Sequence, residues 1–236
     1  MIDGYDWAGG REAMLRFGPA AGPVVALALP LFEEANRTRS FAVTLLRALA
    51  AHGIAGALPD LPGQGDSLVA TQDARLAHLR SAFAAAVATL AGAGGRAVHA
   101  AAIRSGALLD GDARVASRWH LAPQPGSALC RELDRIAHHA THTAPPADGD
   151  APTLRWIAGN AIAPALLAAL ADAVPVQGAH DAGPPVRTLR LTGDTQSADA
   201  HVAGPPLWRR AEPDNDVAFA TLLAADLAAW VRQCAN

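Results

Sequence analysis

The 236-residue sequence predicts an α/β sandwich: a mainly parallel sheet with helices on both faces, as a single domain over residues 1–236. Three observations point there. Short apolar runs of strand length alternate with longer segments of helical period over most of the chain. Hydrophobic residues make up 51% and charged residues 17%, a balance that fills a core and does not fit disorder. No internal repeat appears, and the one sharp composition shift, Thr141 to Pro152, is a proline- and aspartate-rich connector rather than an element.

The elements follow in order. Val24 to Leu29 is a continuous apolar run of the kind a doubly covered parallel strand needs, and Pro30 ends it. From Thr38 to His52, Phe41, Leu45, Leu46 and Leu49 recur at helical spacing, and Gly53 stops the helix. Ala55 to Leu58 reads as a strand, followed by the turn-rich segment Pro59 to Ser67. Asp73 to Leu90 is an alanine-rich helix closed by Gly92, Gly94 and Gly95. Arg96 to Ile103 is the next strand, with a helix starting at Ser105, and Arg114 to Leu121 is a strand followed by a helix over Gly126 to His139. Beyond the connector, Thr153 to Ile157 alternates as a strand. Pro164 to Ala171 is a helix with proline in its first turn, and Val186 to Leu191 is a strand. Phe219, Leu222, Leu223 and Leu227 form one stripe of a helix over Asp216 to Val231.

Composition also excludes chemistry. All nineteen basic residues are arginine, so no lysine is present for a Schiff base or a P-loop phosphate contact. A formal net charge of -3 argues against a nucleic-acid partner. Cys130 and Cys234 stand apart, fitting no zinc, redox or disulfide framework. His138 and His142 have i, i+4 spacing but no carboxylate or cysteine ligand in a recognisable pattern, so solvated helix-end histidines are the reading, with no metal and no cofactor expected. Trp119, Trp156 and Trp208 read as packing residues. Met1 to Gly10 lacks a signal-peptide pattern and no apolar run approaches a membrane span, so a cytoplasmic protein without direct membrane insertion is expected.

In an open α/β sheet the site is expected beyond the carboxyl ends of the strands. After the second apolar strand, Asp60-Leu61-Pro62-Gly63-Gln64-Gly65-Asp66-Ser67 resembles the Asp-x-x-Gly-x-Gly-x-Ser turn of α/β-hydrolases. Ala102-Ile103-Arg104-Ser105-Gly106 falls where that fold places its nucleophile elbow. The block LPLFEEANRTRSFAVTLLRALAAHGIAGALPDLPGQGDS is similar to the exosortase A system-associated hydrolases of type 2. So are Trp119 to Gly126, Ile157 to Pro164 and Val202 to Trp208, in order. The resemblance implies an α/β-hydrolase fold and a role in exopolysaccharide or protein sorting. The stretch from Arg114 to Pro152 is only long enough for a strand, a helix and a linker, so no large cap domain is expected. The resemblance does not supply the substrate; a small-molecule or carbohydrate-linked substrate is the expectation on the hydrolase reading.

The catalytic residues depart from that pattern. With Gly106 closing the elbow, Arg104 stands at the nucleophile position, and a guanidinium has no lone pair with which to attack a carbonyl. Ala102 replaces the first elbow glycine. Chain order allows a triad of Ser105, Asp194 and His201; His180 is the other late histidine. Arg104 instead suits a carboxylate, phosphate or sulfate, or an ion pair with a nearby acid. Glu33, Glu34, Asn36 and Asp66 complete this candidate anion- or ligand-binding set. An ester or amide hydrolase with an unconventional nucleophile and a catalytically silent binder of an anion or partner protein both remain open.

Overall fold

The computed structural model describes residues 1–139, 154–178 and 183–235. Eight strands form one sheet in the order β1-β2-β4-β3-β5-β6-β9-β10. They are β1 (Ile2–Trp7), β2 (Gly10–Phe17), β3 (Val24–Ala28), β4 (Ala55–Pro59), β5 (Val98–Ile103), β6 (Arg118–Leu121), β9 (Val186–Leu191) and β10 (Ala200–Val202). The β1–β2 and β2–β4 pairings are antiparallel and every other pairing in this sheet is parallel. A separate hairpin joins β7 (Arg155–Ile157) to β8 (Asn160–Ile162). Its two loop residues, Ala158 and Gly159, both have positive φ, as a two-residue hairpin turn matched to strand twist requires.

Side-chain alternation along the strands divides the core into two layers. Val24, Ala26 and Ala28 of β3 face α2 (Leu76–Ala91), α3 (Gly126–His139) and α4 (Pro164–Ala171). Val25 and Leu27 point the other way, against α1 (Glu33–Ala51) and α5 (Val217–Gln233). Because both faces are covered, β3, β4 and β5 are buried at every position. Asp226 pins α5 to the sheet by accepting from the Trp119 indole at 2.8 Å and the Arg187 guanidinium at 2.6 Å.

The predicted fold class is the observed one, with differences at element edges. The N-terminal hairpin β1–β2 and the three-residue β10 are additional. Helix α1 begins at Glu33 rather than Thr38, with Glu33 and Glu34 in its first turn, where acids suit the helix dipole. Helix α2 begins at Leu76, after a short 3-10 turn at Thr71–Asp73. Strand β6 begins at Arg118 rather than Arg114, and the helix expected from Ser105 is a 3-10 turn over Arg104–Leu108. The expected strand Thr153 to Ile157 is β7, outside the main sheet, and Thr153 lies outside the described residues. So does the Thr141 to Pro152 connector, and so do residues 179–182 of the loop before β9. Among the described residues, the chain between β6 and β9 holds only α3, the β7–β8 hairpin and α4, without a large cap. No described helix is long and apolar enough to cross a membrane.

The turn after β5 depends on close contact with β3. A Cβ at Gly106 would lie 2.5 Å from the Ala28 carbonyl oxygen and 2.7 Å from that of Leu29, both backbone atoms that cannot swing aside. Gly106→Ala should therefore cost about 1–3 kcal/mol of stability, read by urea denaturation. An unchanged unfolding midpoint would show that this close approach is not required.

Candidate functional site

The site forms beyond the carboxyl ends of β3, β5, β6 and β9. Arg104 is the first residue after β5 and takes φ 54°, a left-handed conformation that non-glycine residues adopt at a cost of about 1–3 kcal/mol. Its guanidinium is held from two sides. Nε and Nη2 donate to the Glu34 carboxylate at 3.4 and 3.3 Å, and Nη2 also donates to Glu132 of α3 at 3.0 Å. The guanidinium carbon lies 5.3 Å from the centre of the Trp208 ring, within cation–π range. Gln124, after β6, donates from its side-chain amide to the same Glu132 oxygen at 2.9 Å. Three segments distant in sequence thus converge on one cation whose side chain is 11% exposed.

Ser105 sits beside this cluster but faces elsewhere. It is fully buried, and its Oγ accepts from the Leu31 backbone N–H at 2.9 Å. Leu31 belongs to the loop after β3, the loop from which this architecture draws an oxyanion donor. No histidine among the described residues is hydrogen-bonded to Ser105. Asp194 follows β9, where its carboxylate accepts from Arg190 at 2.9 Å and from the Gln196 N–H at 2.9 Å. Burial pushes the Asp194 carboxyl up, but these two donors, with the charges of Arg190 and His201, hold it below its usual value. His201 is exposed on β10 and pairs in register with Arg190. Asp194 is thus bonded to Arg190 and not to His201, and Ser105 has a different partner. His180, the other late histidine, lies outside the described residues.

The candidate ligand-binding residues also separate. Glu34 reaches Arg104, whereas Glu33 pairs with Arg37 one turn along α1. Exposed Asn36 lines a small cavity of about 200 Å³ with Gly63 and Asn160. Asp66 is exposed, and the aspartate bonded to an arginine in that turn is the buried Asp60, which accepts from Arg39 at 2.6 Å. Sequence reasoning missed Glu132 and Gln124, whose only local signal is their place on or just before the helix following β6. Trp208 is buried, as a packing residue should be, and also serves as the aromatic face for Arg104. Trp119 is buried and Trp156 is exposed. Among the described residues no group of three or more His, Cys, Asp or Glu side chains could hold a metal. His138 is exposed, with its ring bonded to the Asp134 carbonyl, and His142 lies outside the described residues.

No family model matches the chain, and no curated protein does. Solved structures do match. A proposed hydrolase from Agrobacterium vitis S4 superposes with a TM-score of 0.57 at 16% identity, over 99% of this chain and 97% of its own. The bottromycin epimerase BotH, solved with bottromycin A2, also gives 0.57 at 16% identity, over 97% and 98% of the two chains. The chain has the α/β-hydrolase fold. A lidless serine hydrolase from Xanthomonas campestris matches more partially, with a TM-score of 0.45 at 16% identity over 53% of this chain and 62% of its own. An epimerase and hydrolases thus stand among the neighbours, so the chemistry has to be argued from the site.

The Arg104 cluster has a titratable member. Burial raises the Glu34 carboxyl above its usual value, and the charge and hydrogen bonds of Arg104 pull it back only in part. The folded state then binds more protons than the unfolded state between the ordinary glutamate value and the raised one. Its stabilising contribution is complete below that window and is lost as pH rises through it. Wild type should therefore gain stability relative to Glu34→Gln as pH falls through the window, by about 1.4 kcal/mol for each unit of elevation. Urea denaturation across pH reads this, and parallel pH profiles for the two proteins would contradict it.

Proposed function

We propose that this chain is a single-domain, non-hydrolytic member of the α/β-hydrolase fold that binds an anionic small molecule at the old active-site mouth. The observation that carries the reading is Arg104 at the positive-φ turn after β5, ion-paired to Glu34 and Glu132. On this reading the elbow is degenerate. A permanent cation stands where the fold otherwise presents a nucleophile, and the adjacent hydroxyl is tied to Leu31. The sequence blocks similar to exosortase A system-associated hydrolases set the proposed context, a cytoplasmic step of exopolysaccharide or protein sorting.

The charge pattern at the mouth supports an anion. Glu33, Glu34, Glu132, Asp134 and Asp194 each already pair with an arginine. Arg131, Arg135 and Arg209 line the same mouth, and none has an ion-pair or hydrogen-bond partner among the described residues. Glu34 and Glu132 share Arg104, which leaves one acid charge uncompensated against these three arginines. The balance at the mouth is therefore cationic, and arginine's planar fork suits carboxylate and phosphate.

A second reading has one observation in its favour. Asp194 and His201 flank Arg190 at the β9–β10 edge, with no hydrogen bond or ion pair between them, and follow Ser105 in the chain order that an ester or amide hydrolase would need. A fluorophosphonate probe separates the two readings. Neither wild type nor Ser105→Ala should be labelled. Labelling of wild type that disappears in Ser105→Ala would overturn the non-hydrolytic reading and establish the serine.

A further inference from the structure

The cavity beside the Arg104 cluster narrows the ligand class, an inference that rests on the anion-binding reading above. Its volume is about 820 Å³, within the usual range for small-molecule sites. Leu129, Leu133 and Ile136 line one wall at i, i+4 and i+7 on α3, so they share a helix face. Ile157 of the β7–β8 hairpin, Leu31 after β3 and Trp208 complete an apolar interior. Glu33, paired with Arg37, and Glu34 and Glu132, paired with Arg104, also line this space. Arg135 and Arg209 lie on its edge, both exposed and neither paired among the described residues.

An apolar wall beside two arginines unpaired among the described residues suits a molecule that is itself divided. A small hydrophilic anion would satisfy Arg135 and Arg209 and leave the apolar interior facing water. A neutral hydrocarbon would fill the interior and leave both arginines without a counter-charge. We infer that the ligand is a single-chain anionic amphiphile, its chain among Leu129, Leu133, Ile136 and Ile157 and its carboxylate or phosphate head on Arg135 and Arg209. The interior gains from removing apolar surface from water, and the head gains charge-assisted hydrogen bonds at an accessible rim.

Calorimetric titration of the full chain with decyl phosphate, below its aggregation concentration, tests this. Inorganic phosphate and 1-decanol serve as the single-property controls. Decyl phosphate should bind at least tenfold more tightly than either. The double variant Arg135→Gln, Arg209→Gln should weaken decyl phosphate about tenfold and leave 1-decanol unchanged. Both arginines are exposed, so the variant should keep the wild-type thermal unfolding midpoint. A second variant, Ile136→Asp, should weaken decyl phosphate and spare inorganic phosphate. If inorganic phosphate binds as tightly as decyl phosphate, the amphiphile inference falls and the anion-binding reading stands. If neither anion binds, both fall. Binding to vesicles of anionic phospholipid without binding of monomeric decyl phosphate would overturn the inference in favour of a membrane surface.

Discussion

The contact on which the site depends is the Arg104 guanidinium held between Glu34 and Glu132. It ties the turn after β5 to the first turn of α1 and to the middle of α3. A single carboxylate would leave much of the guanidinium's donor fork without a partner in a largely buried setting. Two carboxylates alone would repel each other there. Together the three groups, with Gln124 on Glu132 and Trp208 against the guanidinium, form a network whose members each need the others. Removing one member of such a buried set costs more than the pair contributes net, because the remaining charges lose their counterpart.

This contact also explains the local backbone. A non-glycine residue at positive φ persists only where its surroundings over-determine it. Here the surroundings are the ion pairs on one side and Gly106 against β3 on the other. The hydrogen bond from Leu31 to Ser105 Oγ closes the same junction from the loop after β3. Strand β5 thus ends in a tight 3-10 turn with a fixed cation at its first residue.

Much of this was legible before any coordinates. The central strands are buried on both faces, so β3, β4 and β5 appear as uninterrupted apolar runs, and α1 declares itself through Phe41, Leu45, Leu46 and Leu49. The β1–β2 hairpin was not legible, because Gly4, Gly9 and Gly10 and the charged Asp3, Asp6, Arg11 and Glu12 around them break the strand pattern that pairing with β4 later supplies. Three-residue β10 is too short to carry any period. Arg104 could be singled out because Gly106 fixes the elbow frame locally. Its partner Glu132 could not, since 28 residues and a strand separate them and only the packing of α3 brings them together. Ser105 shows the same limit: its hydroxyl direction is set by a backbone N–H 74 residues away. The acids around Arg104 were only half sorted by sequence, because Glu33 and Glu34, adjacent on one helix turn, reach different arginines, Arg37 on α1 and Arg104 after β5.

The most direct measurement is the guanidinium NMR spectrum of Arg104, assigned by its loss in Arg104→Met. A guanidinium clamped by Glu34 and Glu132 should show a protected Nε–H and hindered rotation about its Nε–Cζ bond, and Glu34→Gln should relax both. An Arg104 signal with the rapid exchange and free rotation of a solvated surface arginine, unchanged by Glu34→Gln, would contradict the clamp and the site built around it.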